Sequence, residues 1–406
     1  MATGPRPSLE LSDIIHTHGG AYVESRGGVI TTQERRTLKA IAACRTASLG
    51  GHIGQCDRCG HRVIAYNSCR NRHCPKCQAA GRAEWFHQRE LELLPVEYFN
   101  VVFTVPKEIA AIALQNKKVV YDILFRTAAE ALKTAAHDVK HLGAEIGVLS
   151  VLHTWGQNLE HHPHIHCVVT GGGLAPDGSR WVSCRRGFLF PVRVLGRLFR
   201  GKFLDQLKAA FADGRLRFSG SLAAVADHVS FRRYIQPTFA KDWVVYAKRP
   251  FHGPAPVLKY LARYTHRVAI ANRRIVAAEG HTVSFTWKDY AHGSKRRIMT
   301  LSAVEFLRRF LLHILPTGFP RIRYYGFLAN RHRQEKLARC RTLLGVSGDE
   351  KPEVADVGEF LAAGHEHAPL CPACKHGRLL CLLRFAPGTL SGPLVAGTCG
   401  EGYDTS

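Results

Sequence analysis

Three groups of residues in this chain have the types and spacing to do chemistry. The first is cysteine. Cys56-x2-Cys59 and Cys74-x2-Cys77 are separated by fourteen residues, the spacing of two knuckles that close one tetrahedral four-thiolate zinc site. Gly60 after the first pair and Pro75 inside the second suit the tight turns that let sulfur and backbone N–H groups surround an ion. Reduced cysteines that merely pack in a core need no such pairing. Cys69, His52, His61 and His73 lie near enough to substitute for one of the four. Cys371-x2-Cys374 reads as half of another knuckle, with Cys381, Cys399, His365 or His367 as completers at irregular spacing.

The second group is the histidine-rich stretch from His153 to His166. Residues two apart on a strand share a face, so His164 and His166 present two imidazoles side by side while Ile165 points into the core. His153 stands eleven residues before His164, on the preceding strand, and can supply a third nitrogen across the hairpin. Gln157 is the alternative third ligand. The third group is Tyr260 and Tyr264 in the stretch Tyr-Leu-Ala-Arg-Tyr. Positions four apart lie on one helical face about a turn apart, so both phenols can approach one site in succession. A tyrosine stripe also suits plain core packing. Lys259, Arg263 and Arg267 flank the pair, and Arg273 and Arg274 follow.

The elements that position these groups alternate helix and strand. Thr31 and Glu34 form a capping box opening a helix to about Ala43. Glu84 to Leu94 reads as helix, Pro95 breaks it, and Tyr98 to Val105 reads as a strand with Val101, Phe103 and Val105 on one face. Lys107 to His137 reads as helix interrupted once. Gly147 to Thr154 and Ile165 to Thr170 follow as apolar strands, the second stopped by Gly171, Gly172 and Gly173, and Asp177-Gly178 marks a turn. Pro254 and Pro256 introduce a helix to about Arg267, with strands at Val268 to Ile270 and Thr282 to Lys288. The last third reads as basic and mostly helical.

Composition agrees with a nucleic-acid partner. The 406 residues include 56 Lys and Arg against 32 Asp and Glu, a net charge of +24, the electrostatic footprint of a phosphate-binding protein. A chain this long builds two or three domains without disulfides. Its N-terminal stretch has no apolar core of a signal peptide, and nothing approaches the roughly 20 apolar residues that span a bilayer. The expected location is cytoplasmic, where thirteen cysteines stay reduced or bind metal.

At these residues the chain resembles a known family. His164-Ile-His166 is similar to the HUH motif, and Tyr260 with Tyr264 to its two-tyrosine signature. The strings HTWGQNLEHHPHIHCVVTGGGL, KYLARYTHRVAIANRRI, YNSCRNRHCPKCQ and FLANRHRQEKLARCR resemble those of IS91-like rolling-circle transposases of bacterial insertion sequences. The resemblance runs in order from about Thr31 to Cys374 and leaves the tail from Pro387 unmatched. It implies an HUH endonuclease domain with a central antiparallel sheet and a small N-terminal zinc-binding module; with the alternation of helix and strand and the basic helical C-terminal region read from the residues, the expected fold class is α+β. The step from His153 to His164 is also similar to the three-histidine cluster of conjugative relaxases, which share that nuclease fold. The expected boundaries are 1–95 for the N-terminal helix and zinc-binding domain, 96–300 for the nuclease, and 301–406 for the C-terminal region.

The chemistry so implied is DNA transposition by cutting and rejoining single strands. A tyrosine hydroxyl, with a pKa near 10, attacks phosphorus poorly unless its proton leaves and the phosphate is polarised. A divalent ion on His164, His166 and His153 would polarise it, and the resemblance implies Mg2+ or Mn2+ there beside a structural Zn2+. Attack leaves a 5′-phosphotyrosine that a 3′-hydroxyl can reverse. Lys295, Arg296, Arg297, and the run from Arg321 to Arg339 with Arg331, Arg333, Tyr324, Tyr325 and Phe327, are candidates to pair phosphates and stack bases. The expected partners are single-stranded DNA, the element ends and target DNA, with no membrane, and the protein joins the nucleoid when bound to DNA. A replication initiator or relaxase would use the same nuclease chemistry, and a zinc-containing DNA-binding regulator would use none.

Overall fold

The structure, a computed structural model, describes residues 9–78, 92–247, 256–257, 268–290, 292–346 and 369–388. These fall into two compact units, and neither is continuous in sequence. One takes the described residues within 1–88, 266–314 and 353–406, the other those within 89–265 and 315–352. The expected succession of three domains is corrected accordingly. Residues 268–302 join the unit of the N-terminal cysteines, and residues 315–346 join the unit of the histidines.

The histidine unit is a six-stranded sheet against helices. Its strand order is β11-β4-β5-β3-β7, with β6 on β5, where β3 is Tyr98–Thr104, β4 Glu145–Trp155, β5 His161–Leu174, β6 Trp181–Ser183, β7 Val245–Ala247 and β11 Ile322–Gly326. Every pairing is antiparallel. The interrupted helix is observed as α3 (Lys107–Gln115) and α4 (Lys117–His137), broken at Asn116. Asn116 ties the break down, its side chain donating to the Arg217 carbonyl at 2.8 Å and accepting from the Arg217 N–H at 2.7 Å. Along α4, Tyr121, Phe125, Ala128 and Leu132 recur at helical spacing and are fully buried. They share a core with Phe103, Val148, Leu152, Ile165, Cys167 and Val169 of the sheet and with Phe199 and Phe203 of α5 (Val192–Ala212). Each such Leu or Phe contributes about 1.5–3 kcal/mol by leaving water. The helices thus cover one face of the sheet, and the histidines point from the other.

Gly171, Gly172 and Gly173 do not stop β5, which runs on to Leu174. They sit where neighbours come too close for a side chain: a Cβ on Gly173 would stand 2.3 Å from the Glu145 carbonyl oxygen, and one on Gly171 2.8 Å from that of Glu97. Glycine here marks close backbone approach inside a strand rather than its end. The turn at Asp177-Gly178 is present, with Gly178 at φ +69°.

In the other unit, α1 (Leu11–Ser25) precedes α2 (Thr32–Ala43), which opens on the expected capping box. The Glu34 N–H donates to Thr31 Oγ1 at 3.1 Å, and the Thr31 N–H to the Glu34 carboxylate at 2.8 Å. One three-stranded sheet has the order β12-β1-β2, from Leu379–Phe385, Gly51–Cys56 and Arg62–Tyr66. A second has the order β10-β9-β8, from Lys295–Ser302, Thr282–Asp289 and Ile275–Glu279. Against it lies α6 (Ala303–Leu312), with Phe306 and Phe310 buried and the Phe306 ring 5.7 Å from that of Phe285. Val268 to Ile270 form no strand, and the described residues of the last third carry β10, β11 and β12 beside the helices α6 and α7 (Arg333–Leu343), so among these residues helix does not predominate. The helix expected at 84–94 falls mostly outside the described residues, and that expected up to Arg267 almost wholly.

Candidate metal and DNA-processing site

His153 on β4 stands directly opposite His164 on β5, and Val151 opposite His166. Directly opposite residues of an antiparallel pair share a face, so the three imidazoles converge. One nitrogen from each lies within 4.8 Å of the others, within reach of a single divalent ion. Ring centroids are 4.7 Å apart for His153 and His166, 5.0 Å for His164 and His166, and 5.5 Å for His153 and His164. His153 and His166 are buried while His164 is partly exposed. Ile165 is buried in the core on the opposite face. Gln157 lies in the turn between the strands.

Several neighbours fix this geometry. The register of β4 and β5 slips between His153 and Trp155, a bulge of the kind that re-aims side chains. The connection is tight: the Gly156 N–H donates to the Glu160 carbonyl at 3.0 Å, and buried Leu159 adopts φ +63°. His164 Nδ1 lies 2.7 Å from the His162 carbonyl oxygen. Only a protonated Nδ1 can donate there, which puts the lone pair on Nε2 as metal ligation requires. Below the cluster, the Tyr121 hydroxyl is 2.7 Å from His161 Nε2. Burial raises the phenol pKa of Tyr121 and lowers that of His161 to about 3, so this is a bond between neutral groups.

Tyr260, Tyr264, Lys259, Arg263 and Arg267 lie outside the described residues. Of the other expected DNA contacts, Arg273, Lys295, Arg296, Arg297 and Arg331 are exposed. Arg274 has internal partners instead: its guanidinium donates to the carbonyls of Thr286 at 2.8 Å and Ala269 at 3.3 Å and lies over Phe285. Arg333 pairs with Glu92 at 3.4 Å and covers the Tyr324 ring. Phe327, expected to stack on bases, is fully buried in a small core with Leu94, Leu174, Leu337 and Cys340. Tyr325 packs against the main core. Arg323 is held by Asp122 and lies between Phe125 and Phe319.

The cysteines overturn the expected single site. Cys74 and Cys77 converge with Cys44 and Cys69, whereas Cys56 and Cys59 converge with Cys371 and Cys374. The reason lies in the pairing of β1. Cys56 ends that strand, opposite Leu379 of β12, which brings the distant Cys371 pair to its knuckle. Cys44 caps the C-terminus of α2, and the spacing rule could not reach it because it is unpaired in sequence. In the first set, Cys77 Sγ is 3.5 Å from both Cys44 Sγ and Cys69 Sγ. Hydrogen bonding by Cys69 pulls the Cys44 thiol down to about 7, and bonds from Cys44, Cys69 and Cys74 push Cys77 below the ordinary thiol range. The Cys69 and Cys74 thiols are shifted upward, chiefly by hydrogen bonding with Cys44.

Several known proteins are similar to the chain. Solved structures among them include the conjugative relaxase TrwC complexed with a 27-mer DNA comprising the recognition hairpin and the cleavage site, at 14% identity and a TM-score of 0.23, over 62% of this chain and 75% of that one. A metal-bound complex of TrwC with oriT DNA scores 0.24 at the same identity, over 62% and 74%. Residues 147–336 match the family described as "Putative transposase", and residues 14–105 match the "Transposase zinc-binding domain", so structural zinc belongs to the N-terminal module. A "Putative transposase y4qJ" of Sinorhizobium fredii is 54% identical over 94% of this chain and 96% of its own length. The transposase for insertion sequence element IS801 of Pseudomonas savastanoi pv. phaseolicola is 30% identical over 77% and 74%. The chain belongs to the IS91-like family of bacterial insertion-sequence transposases, the rolling-circle class.

Proposed function

We propose that this transposase cuts and rejoins single-stranded DNA through a tyrosine nucleophile, Tyr260 or Tyr264, beside a divalent metal held by His153, His164 and His166. The observation that carries the reading is the convergence of three imidazoles from two paired strands on one face of the sheet. When bound there, Mg2+ or Mn2+ supplies Lewis acidity at the scissile phosphate. The phenol oxygen attacks phosphorus as its proton passes to solvent water, the bond from phosphorus to the 3′-oxygen breaks, and that oxygen takes a proton from solvent to become the 3′-hydroxyl. The resulting 5′-phosphotyrosine is still a phosphodiester, so a second strand's 3′-hydroxyl reverses the step without ATP. Two tyrosines permit two linked transfers, joining an element end to target DNA. Exposed Arg273, Lys295, Arg296, Arg297 and Arg331 hold phosphates, and the charge of +24 keeps the protein on the nucleoid. Among the described residues no helix is long and apolar enough to cross a membrane.

The test is an SDS-stable adduct between the purified protein and a labelled single-stranded oligonucleotide carrying an element end, with Mn2+ present. The adduct should form with wild type and vanish in the His164→Ala, His166→Ala double variant. That variant should keep most of its strand affinity, which comes chiefly from Lys and Arg contacts to phosphate. Cutting by the double variant at the wild-type rate, or no adduct with wild type, would end the metal-tyrosine reading.

A further inference from the structure

We propose that Cys56, Cys59, Cys371 and Cys374 bind a second structural zinc ion, one that fastens the C-terminal β12 segment to the N-terminal module. The matched zinc-binding domain spans residues 14–105, so half of this site comes from outside it. Sulfur geometry is the first support. Cys56 Sγ lies 3.7 Å from Cys374 Sγ, and Cys59 Sγ 3.6 Å from Cys371 Sγ. A tetrahedral ion with Zn–S bonds of about 2.3 Å has sulfur–sulfur edges of about 3.8 Å. A disulfide would need about 2.05 Å.

The second support is that the two halves fold alike. The Gly60 N–H donates to the Cys56 carbonyl at 3.1 Å, and the Lys375 N–H to the Cys371 carbonyl at 2.9 Å. Each knuckle has its left-handed residue four positions after its first cysteine, Gly60 at φ +70° and Lys375 at +59°. Backbone donors also face sulfur on both sides. Arg58 and Cys59 donate to Cys56 Sγ at 3.4 and 3.5 Å, and Gly377 to Cys374 Sγ at 3.2 Å. Such donors stabilise thiolate, the form that metal demands. Reduced cysteines packed as small apolar groups have no need of this arrangement.

The third support is the fit of the halves to each other. Strand β12 pairs with β1 from Gly51↔Phe385 to Cys56↔Leu379. Beyond it the Asp57 N–H donates to the Arg378 carbonyl at 3.0 Å, and the Arg378 N–H to the Asp57 carboxylate at 2.8 Å. A Cβ on Gly377 would stand 2.4 Å from Cys56 Sγ, so only glycine lets the second knuckle close on the first. Cys381, on β12 itself, is not part of the set.

Zinc released from the full-length protein by a thiol-specific mercurial, after dialysis against chelator to empty the histidine site, counts thiolate-held ions alone. Wild type should release two equivalents per chain. The Cys371→Ser, Cys374→Ser variant should release one, and so should Cys69→Ser, which breaks the other cluster. The wild-type count needs no variant to fold. One equivalent from wild type, two from the Cys371→Ser, Cys374→Ser variant, or iron in place of zinc would overturn the proposal.

Discussion

Trp155 lies almost flat on His153, ring centroids 4.7 Å apart and planes 20° from parallel. The indole is nearly buried, and the Arg321 guanidinium lies 5.8 Å from its centroid. A stacked ring restricts rotation of the imidazole about its side-chain bonds, and precise ligand orientation is what neighbours of a metal ligand contribute. Trp155→Ala should therefore weaken Mn2+ binding by about 10–100-fold, the range typical for loss of such a support. Trp155→Phe, which keeps a flat ring, should recover most of it. Calorimetric Mn2+ titration of both variants is the check; equal affinity in wild type and Trp155→Ala would reduce the indole to packing.

Gly326 has φ +62°, and a Cβ there would stand 1.7 Å from the Ile146 carbonyl oxygen. It ends β11 against Gly147 of β4, so the strand that borders the histidine pair depends on it. Gly178 provides the comparison, at φ +69° with nothing within 4 Å of where a Cβ would stand. Alanine at Gly178 should cost only the left-handed backbone penalty, about 1–2 kcal/mol. Alanine at Gly326 should cost that plus a forced separation of β11 from β4. Thermal unfolding should show the larger drop for Gly326→Ala; equal drops would mean the strand end relaxes freely.

The histidine pair and its partner were legible because strand alternation and an eleven-residue step are local facts. His164 and His166 share a face, Ile165 faces the core, and His153 lies across the hairpin, as the period of two requires. One interruption of the helix from Lys107 to His137 was expected, but its place at Asn116 was not legible, because the contacts with Arg217 that hold it are 101 residues away. The cysteine sets were not legible either, since the Cys371 pair is placed by a strand pairing across more than three hundred residues, which no spacing rule encodes. Phe327 misled because an aromatic among arginines looks the same whether it faces bases or a core. The triple glycine misled because a close carbonyl and a turn demand the same residue.

Cys74 is fully buried among Cys44, Cys69 and Cys77. Removing one ligand from a four-thiolate site forfeits binding energy that is also folding energy. Cys74→Ser should lose one zinc equivalent, retain the other, and lower the thermal midpoint of the N-terminal module. Elemental analysis with a calorimetric scan decides it. Unchanged zinc and an unchanged midpoint would remove Cys74 from the ligand set.

The two candidate nucleophiles share a helical face by spacing, so the division of labour between them is the sharpest question about the chemistry. Only one phenol can lie in line with a bound phosphate at a time, because attack needs reacting atoms within about 3–3.5 Å. Three other tyrosines of the histidine unit are poor donors of a phenolate. Burial raises the pKa of Tyr98 and Tyr121, and pushes that of Tyr325 to about 12. Tyr246 is the serious rival: it is exposed, and it sits opposite Val102, which in turn sits opposite His166, so it shares the histidine face two strands away. At about 4.8 Å per strand step its Cα is roughly 10 Å from that of His166. Tyr260→Phe and Tyr264→Phe should each retain some single-strand cleavage but lose complete transposition, and the double variant should form no covalent adduct. Phenylalanine keeps the ring, so lost chemistry would not mean lost packing. Peptide mapping of the DNA-linked tyrosine in wild type and both variants decides it: attachment at Tyr246 would transfer the role to β7, while attachment at only one of the pair in every case would leave a single-nucleophile enzyme.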